Sequence, residues 1–493
     1  MNYKLLLRLL GFVLLIEAAL LVIPMLVSVI YRESPLPFIY TIGILIAVSL
    51  PLVFLKPEDS RIYAKEGFIC VGGSWLLLSL FGALPFVFSG AIPNFIDAFF
   101  ETVSGFTTTG ATILTAVEGL PYGILFWRSL THWVGGMGIL VFMLALLPSL
   151  GGNAIHLMRA EVPGPQKGKL VPKMKETALI LYGIYFLLTV ILAVLLLCTG
   201  MPLYDSIVSS LATAGTGGFS VRNASIGAYM NPAAEWIIAS FMLIFGVNFN
   251  LYFYIIVKKF KLILKNEELR TYLILCAVST VLITINVWNS VASEFDTVAD
   301  CIRAAFFQVT SIMSTTGFSS VNYELWPEFS RMLLVFISII GASAGSTAGG
   351  LKVSRLVILL KTVRVNMKRV LKPNSVHTLR LDGDVLPEET EKSTTNYFAI
   401  YMLLTLGFIL LVSLDGKDFV STVTAVIACF NNVGPGLGIV GPWGSFASFS
   451  YFSKLVRAFA MLFGRLEIMP MLIMLSPSTW VKSFRGNKGL KLK

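Results

Sequence analysis

The chain has 493 residues, of which 56% are hydrophobic and only 13% are charged, and its mean hydropathy is +0.80. These values exclude a soluble globular protein of this size and predict an all-α, polytopic membrane protein embedded in a lipid bilayer. The formal net charge of +11 would suit a nucleic-acid-binding protein. Membrane topology accounts for that excess of basic residues equally well, so no nucleic-acid partner is expected.

Two apolar stretches, residues 9–31 and 38–55, open the chain. The first is too long for the core of a signal peptide and lacks a cleavage site, so it is expected to stay as an anchor helix. Residues 1–60 are therefore predicted to form a two-helix hairpin. Glu17 lies within the first stretch, where it is either a functional intramembrane charge or a carboxylate that snorkels to the interface.

The rest of the chain repeats one pattern four times: a long apolar segment, a short one, a Gly/Thr/Ser stretch and a second long apolar segment. With the hairpin, this predicts about ten membrane crossings and four tandem repeats of the potassium-channel type around a pseudo-fourfold pore. The predicted repeats are residues 61–158, 159–262, 263–375 and 376–493. The predicted helical segments are 67–88, 94–106 and 124–147, then 177–199, 205–213 and 233–257, then 272–291, 299–314 and 332–360, and finally 396–414, 419–430 and 451–474.

A glycine recurs about every hundred residues within the Gly/Thr/Ser stretches. Small hydroxyl residues beside a glycine permit a backbone whose carbonyl oxygens face one way, and a ring of such oxygens can replace the hydration shell of a cation. The fourth stretch lacks threonine and is the weakest contributor to the predicted selectivity filter. The residues predicted to bind the ion are Thr108, Thr109, Gly110, Thr216, Gly217, Gly218, Thr315, Thr316, Gly317, Asn432, Val433 and Gly434.

The short segment before each stretch is predicted to be a re-entrant helix, because it is too short to span a bilayer. Its partially negative C-terminal end would point at the filter and favour a cation there. Asp97 and Asp205 lie at the starts of two of these helices, where they are expected to act as N-terminal caps.

Most of the 38 Lys and Arg residues fall on one side of the ten-span arrangement. That side is predicted to be cytoplasmic, with both termini inside and the filter stretches opening outward. The basic segments are residues 4–8, 56–66, 159–175, 258–270, 352–392 and 482–493.

Residues 341–350 consist of glycine, alanine, serine and threonine, which disfavours a helix in the middle of the third inner segment. A loop there is predicted to cross the ion path as a gate, although a packing face of small residues is the alternative. Arg465, in the apolar fourth inner segment, is predicted to hydrogen-bond the loop carbonyls, the alternative being a buried pair with an acid. The predicted gate residues are Gly345, Ser346, Thr347, Ala348, Gly349, Gly350 and Arg465.

Together these motifs resemble the TrkH subgroup of the Trk/Ktr/HKT superfamily of potassium transporters, over essentially the whole chain. The resemblance implies potassium uptake across a bacterial cytoplasmic membrane by a homodimer, with one pore in each protomer and a TrkA-like, nucleotide-binding cytosolic regulatory subunit. In sodium-selective members a serine replaces the first filter glycine, so Gly110 favours potassium. Besides the filter stretches, the motifs that carry the resemblance are residues 127–131, 135–138, 246–249, 345–352 and 464–465.

Two other functions fit parts of the sequence. Residues 341–345 match the G-x-S-x-G pattern around a serine nucleophile, but no histidine lies at a spacing that would provide a base for Ser343. A proton- or sodium-coupled secondary transporter is the other alternative, since such proteins also contain broken helices. The five cysteines show no CxxC spacing, and His132, His156 and His377 lie far apart, so neither a metal site nor a cofactor is expected.

Overall fold

The computed structural model describes residues 2–57, 63–138, 174–290, 295–374 and 377–480, and these are mainly helical. The helices of the first half are α1 (Tyr3–Ile30), α2 (Leu36–Val53), α3 (Ala64–Gly82), α4 (Leu84–Phe88), α5 (Phe95–Phe106), α6 (Tyr122–Met137), α7 (Met174–Cys198), α8 (Leu203–Gly215), α9 (Pro232–Phe245) and α10 (Phe249–Ile256). The second half contains α11 (Phe260–Lys265), α12 (Glu267–Trp288), α13 (Val298–Met313), α14 (Glu328–Ile340), α15 (Val353–Leu371), α16 (Glu388–Ser413), α17 (Phe419–Phe430), α18 (Tyr451–Arg465), α19 (Met469–Leu475) and α20 (Pro477–Trp480).

A small hairpin joins α15 to α16. Its strands, β1 (Arg380–Leu381) and β2 (Asp384–Val385), are antiparallel, with Arg380 opposite Val385. The turn residues Asp382 and Gly383 both have positive φ, 58° and 94°. A two-residue turn of this kind needs left-handed backbone at both positions, which an Asp-Gly pair supplies.

The first two helices form the predicted hairpin, and α1 packs against α2, α3 and α6. Glu17 is completely buried in this contact, and neither of its carboxyl oxygens has a hydrogen-bond partner among the described residues. A snorkelling carboxylate would reach the surface, so that interpretation of Glu17 is wrong.

Four short helices, α5, α8, α13 and α17, lie where the re-entrant segments were predicted. Each short helix packs against the inner helix of the unit before it, and the first short helix packs against the inner helix of the last unit. The pairs are α8 with α6, α13 with α9, α17 with α14 and α5 with α18. The last of these contacts joins the fourth unit back to the first. The contacts between the short helices and the inner helices therefore close into a cycle.

Six described helices are long and apolar enough to cross a membrane, or seven when α9 and α10 are counted as one bent span. They are the two hairpin helices and the first long helix of each unit. Many of their large apolar side chains are exposed, as expected for surfaces that face lipid. The inner helices are shorter, so ten crossings remain a prediction.

Two of the inner helices are broken where the sequence predicts continuous helices. The segment 233–257 bends by 89° between α9 and α10, and the segment 451–474 breaks after α18, where Glu467 and Ile468 have φ of 55° and 67°. The third inner segment is interrupted between α14 and α15, as predicted. Residues 139–147 of the first inner segment lie outside the described residues.

Capping of the first re-entrant helix differs from the prediction. Asn94, not Asp97, is the N-cap residue of α5, and its side chain accepts hydrogen bonds from the backbone of Ile96 and Asp97. The Asp97 carboxylate instead pairs with Lys454 of α18 at 2.7 Å. In α8 the N-cap position is occupied by Pro202, so Asp205 is not the cap either, and its carboxylate accepts a hydrogen bond from Tyr229. Both carboxylates therefore connect their short helix to another part of the fold.

Candidate ion site

The segments that follow the four short helices share one backbone pattern. We call residues 108–110, 216–218, 315–317 and 432–434 the ring segments. The first and third residues of each segment have positive φ, and the middle residue does not. The values of φ are 55° and 79° for Thr108 and Gly110, 54° and 75° for Thr216 and Gly218, 57° and 82° for Thr315 and Gly317, and 56° and 95° for Asn432 and Gly434.

The ring segments contact one another in a closed cycle. A Cβ atom added to Gly110 would overlap the carbonyl oxygen of Gly217, the middle residue of the next segment. Gly218 abuts the carbonyl of Thr316, Gly317 abuts that of Val433, and Gly434 abuts that of Thr109. Glycine is thus required at these four positions both for its positive φ and for the close approach.

The fourth ring segment keeps this geometry although its sequence differs most. Its Asn432 donates from Nδ2 to Thr109 Oγ1 at 2.9 Å and to the carbonyl of Met461 at 3.0 Å. In the first segment the hydroxyl groups of Thr107 and Thr109 are hydrogen-bonded at 2.8 Å. In the third segment the hydroxyl groups of Ser314 and Thr316 form the same contact at 2.7 Å. The fourth segment is therefore held by a side-chain amide that bridges to the first segment.

A buried ion pair lies behind the first ring segment. Glu101 of α5 accepts from Arg128 Nε of α6 at 2.9 Å and also from Thr112 Oγ1 and the backbone of Ile113. The Arg128 guanidinium stacks 3.9 Å from the ring centre of Phe219, which follows the second segment. The pair thus connects the first two units directly behind the ring segments.

His132 of α6 supports the same two units through both ring nitrogens. Nδ1 lies 2.7 Å from the carbonyl of Gly105, and Nε2 accepts from the backbone of Phe219 at 3.3 Å. A carbonyl can only accept, so Nδ1 carries the hydrogen. The buried imidazole also fills the space beside Gly217, and the backbone carbonyl of His132 lies beside Gly215.

Sequence reasoning missed the roles of His132 and Glu101. The available signal was a histidine and an arginine on one apolar helix, next to the residues 127–131 motif. A histidine on an apolar helix without metal-ligand spacing must find hydrogen-bond partners where it is buried, and the contacts of His132 with Gly105 and Phe219 are of this kind.

Removing the carboxylate of Glu101 is expected to destabilise the protein. The Glu101→Ala variant leaves Arg128 buried and without its acid, which costs about 3–5 kcal/mol. The unfolding midpoint of purified protein measures the effect. Glu388→Ala is the control, because it breaks an exposed pair with Lys392 and is expected to leave the midpoint unchanged. Equal midpoints for the two variants would contradict a structural role for the buried pair.

The predicted intramembrane loop lies between α14 and α15, and its two legs pair at the base. Lys352 N donates to the carbonyl of Ile340 at 2.8 Å, and Val353 N donates to that of Ala342 at 3.0 Å. The apex reaches the third ring segment, where Gly349 N donates to Thr315 Oγ1 at 2.7 Å. The apex of the loop therefore lies against the third ring segment.

The broken second inner helix holds one side of the loop. Between α9 and α10, Gly246 accepts from Ser343 N at 3.1 Å, and Phe249 N donates to Gly345 at 3.0 Å. The free backbone groups of one interrupted helix are thus satisfied by those of another, which is how irregular backbone is tolerated at membrane depth.

Arg465, at the end of α18, spans the space below the ring segments. Its Nη1 donates to the carbonyl of Thr347 at 2.6 Å, and Nη2 donates to those of Gly135 and Gly136 at 2.6 and 2.8 Å. The contact with the loop is the one expected from the sequence. The nearby Glu467 forms a two-pronged pair with Arg355 of α15, at 3.1 and 2.5 Å.

Comparison with known proteins agrees with this architecture. A family model described as a cation transport protein, TrkH, matches residues 37–482. The Trk system potassium uptake protein TrkH of Salmonella typhimurium is 38% identical over 487 residues, which cover 97% of this chain and all of that protein. TrkG of Escherichia coli, another Trk system potassium uptake protein, is 32% identical over 95% of this chain and 97% of its own length.

A crystal structure of the potassium transporter TrkH from Vibrio parahaemolyticus matches with a TM-score of 0.88 and 33% identity, over 98% of this chain and 100% of that one. The fold and these matches define a polytopic membrane protein of the cation-transporter class. The chain belongs to the TrkH family of cation transport proteins.

The relatives are transporters, and the non-enzymatic interpretation is confirmed. The Ser343 hydroxyl is buried without a hydrogen-bond partner among the described residues. His132 holds two backbone groups elsewhere, so it offers no base to a serine nucleophile.

Proposed function

We propose that this protein takes up potassium ions through a selectivity filter formed by the four ring segments. The observation that carries the proposal is the closed cycle of contacts, in which the glycine of each segment abuts a carbonyl of the next. Four chain segments arranged in this way surround an axis that an ion can follow.

The backbone pattern explains how the filter would bind a cation. Alternation between positive and other values of φ turns successive carbonyl groups toward one side of a segment, and this side faces the axis. Their oxygens replace the water that the ion loses on entry. The helices α5, α8, α13 and α17 end at the ring segments, so their partially negative ends add to the attraction. The twelve filter residues named from the sequence supply these oxygens.

Potassium is the proposed substrate for two reasons. Relatives that align over nearly the whole chain are named potassium uptake proteins. In addition, the first ring segment has a glycine, Gly110, at the position where sodium-selective members of the superfamily have a serine.

The loop and Arg465 are proposed as the gate. The guanidinium places a positive charge below the filter, and its three carbonyl contacts join the loop to the end of α6. A cation leaving the filter meets both a like charge and a physical barrier. Opening requires the loop, residues 345–350 in particular, to leave the path.

We further propose that the protein is a homodimer in the bacterial cytoplasmic membrane, with both termini in the cytoplasm and a TrkA-like regulatory subunit on that face. The named relatives are components of a Trk system, and the basic segments of the chain favour this orientation. Crosslinking in native membranes tests the dimer, and co-purification tests the partner. A monomer with no co-purifying subunit would count against both.

A proton- or sodium-coupled transporter is the second candidate, favoured by the broken helices α9–α10 and α14–α15. The two functions differ in what drives the ion. A channel-like protein in liposomes carries rubidium down its own gradient at a rate that an imposed proton or sodium gradient leaves unchanged.

The proposed function is tested by growth of a bacterium that lacks its own potassium uptake systems. Expression of the wild-type chain is expected to restore growth on limiting potassium and to give rubidium uptake. Gly407→Ser is the matched control, since the space beside Gly407 is empty and this variant should rescue equally well. Absence of rescue and of rubidium uptake, with the protein present in the membrane, would refute the proposal.

A further inference from the structure

The intramembrane loop has a second anchor, at its base, on a different helix. Glu268 lies in the first turn of α12 and is buried. A single carboxyl oxygen, Oε1, accepts from the backbone of Ala344 at 2.7 Å and from that of Ser354 at 3.1 Å. Ala344 belongs to the leg that enters the loop, and Ser354 follows the leg that leaves it. One side chain therefore holds both legs together.

The turn that carries Glu268 is itself firmly held. Asn266 caps α12 by accepting from Leu269 N at 2.7 Å. Glu267 N donates to the Asp382 carboxylate of the β1–β2 hairpin at 2.8 Å, and Asp382 N donates to the Glu267 carboxylate at 3.2 Å. The Glu267 carboxylate also pairs with Lys361 of α15. Glu268 thus lies on a helix turn that hydrogen bonds hold in place.

We propose that Glu268 is a positioning residue that keeps the loop in its closed position. This inference rests on the proposed role of the loop as a barrier. Arg465 and Thr315 hold the apex, whereas the Glu268 oxygen reinforces the backbone pairing at the base by satisfying one backbone N–H of each leg. The legs cannot separate or rotate without breaking one of these two hydrogen bonds. Closure consequently depends on an acceptor oxygen at this place, and not on the negative charge.

Substitutions at Glu268 separate the acceptor from the charge. Glu268→Ala removes the acceptor, Glu268→Asp withdraws it by one methylene, and Glu268→Gln keeps a carbonyl oxygen at the same reach. Glu235→Ala is the control for loss of a buried carboxylate, because Glu235 pairs with Arg303. Each full-length variant is reconstituted in liposomes at equal incorporation, and the initial rate of rubidium uptake is measured against rubidium concentration.

Glu268→Ala and Glu268→Asp are expected to raise the maximal rate several-fold, with the half-saturating concentration unchanged because the filter is intact. Glu268→Gln is expected to stay within about twofold of wild type. Glu235→Ala should not raise the rate. If Glu268→Ala does not fold, Glu268→Asp against Glu268→Gln still decides the proposal, since only the shortened side chain loses the bridge.

A variant with residues 346–348 deleted distinguishes the role of Glu268 from the role of the loop as a barrier. Combined with Glu268→Ala, it should give no more uptake than the deletion alone, because both changes act on the same barrier. A deletion that raises uptake while Glu268→Ala and Glu268→Asp do not would overturn the role of Glu268 only. No increase from the deletion would overturn the barrier itself and this inference with it. Equal increases from Glu268→Gln and Glu268→Ala would also overturn the acceptor role.

Discussion

Replacing Gly110 with serine is expected to lower the preference for potassium over sodium by about tenfold, equivalent to ~1.4 kcal/mol. The added Cβ would overlap the carbonyl oxygen of Gly217, so this oxygen must move. The φ of 79° at Gly110 is also unfavourable for a residue with a side chain, by roughly 1–2 kcal/mol. Uptake of rubidium and of sodium by the same liposomes gives the ratio.

The geometry indicates that this substitution strains two ring segments, because the clash involves both Gly110 and the carbonyl of Gly217. The thermal midpoint should therefore be measured together with the flux. Gly407→Ser serves again as the control, with no change in either quantity. A potassium-to-sodium ratio equal to that of wild type in Gly110→Ser would argue against a filter at this position.

Replacing Arg465 with alanine is expected to raise rubidium flux several-fold and to weaken the dependence on any regulatory subunit. The change removes a positive charge and three hydrogen bonds to carbonyl groups, each worth about 1.5–3 kcal/mol because the donor is charged. Purified variants in liposomes, compared at equal incorporation, provide the measurement.

Arg465→Lys tests which property of the side chain matters. Lysine keeps the charge but cannot span carbonyls of both Thr347 and the end of α6 as the planar guanidinium does. Flux near wild type in Arg465→Lys would identify charge repulsion as the main barrier, and flux near that of Arg465→Ala would identify the hydrogen-bonded bridge. Equal or lower flux in both variants would mean that Arg465 is no barrier.

The regular parts of the fold could be predicted from the sequence, because they depend on local chemistry. Long apolar runs, the four short segments and the recurring glycines are each visible within a few residues. The interruption at residues 341–350 was predictable for the same reason, since glycine and serine disfavour a helix wherever they occur in such density.

Features that depend on contacts between distant residues could not be predicted. The bend between α9 and α10 is stabilised by the loop nearly a hundred positions later, where Ser343 N donates to Gly246. Asn94 immediately precedes α5 and caps it, whereas the carboxylate of Asp97 pairs with Lys454, a residue 357 positions later in the chain. Glu268 gave no signal, because a first-turn glutamate ordinarily faces water and favours the helix dipole.

The closed cycle of ring segments has a consequence for how the protein responds to mutation. Because one chain supplies all four segments, a substitution alters only a quarter of the oxygens in the proposed filter, whereas in a pore built from four identical subunits it would alter all of them. The Asn432–Thr109 brace already makes one quadrant chemically different from the others. Ion preference in such a protein can therefore change in small, separate steps, one quadrant at a time.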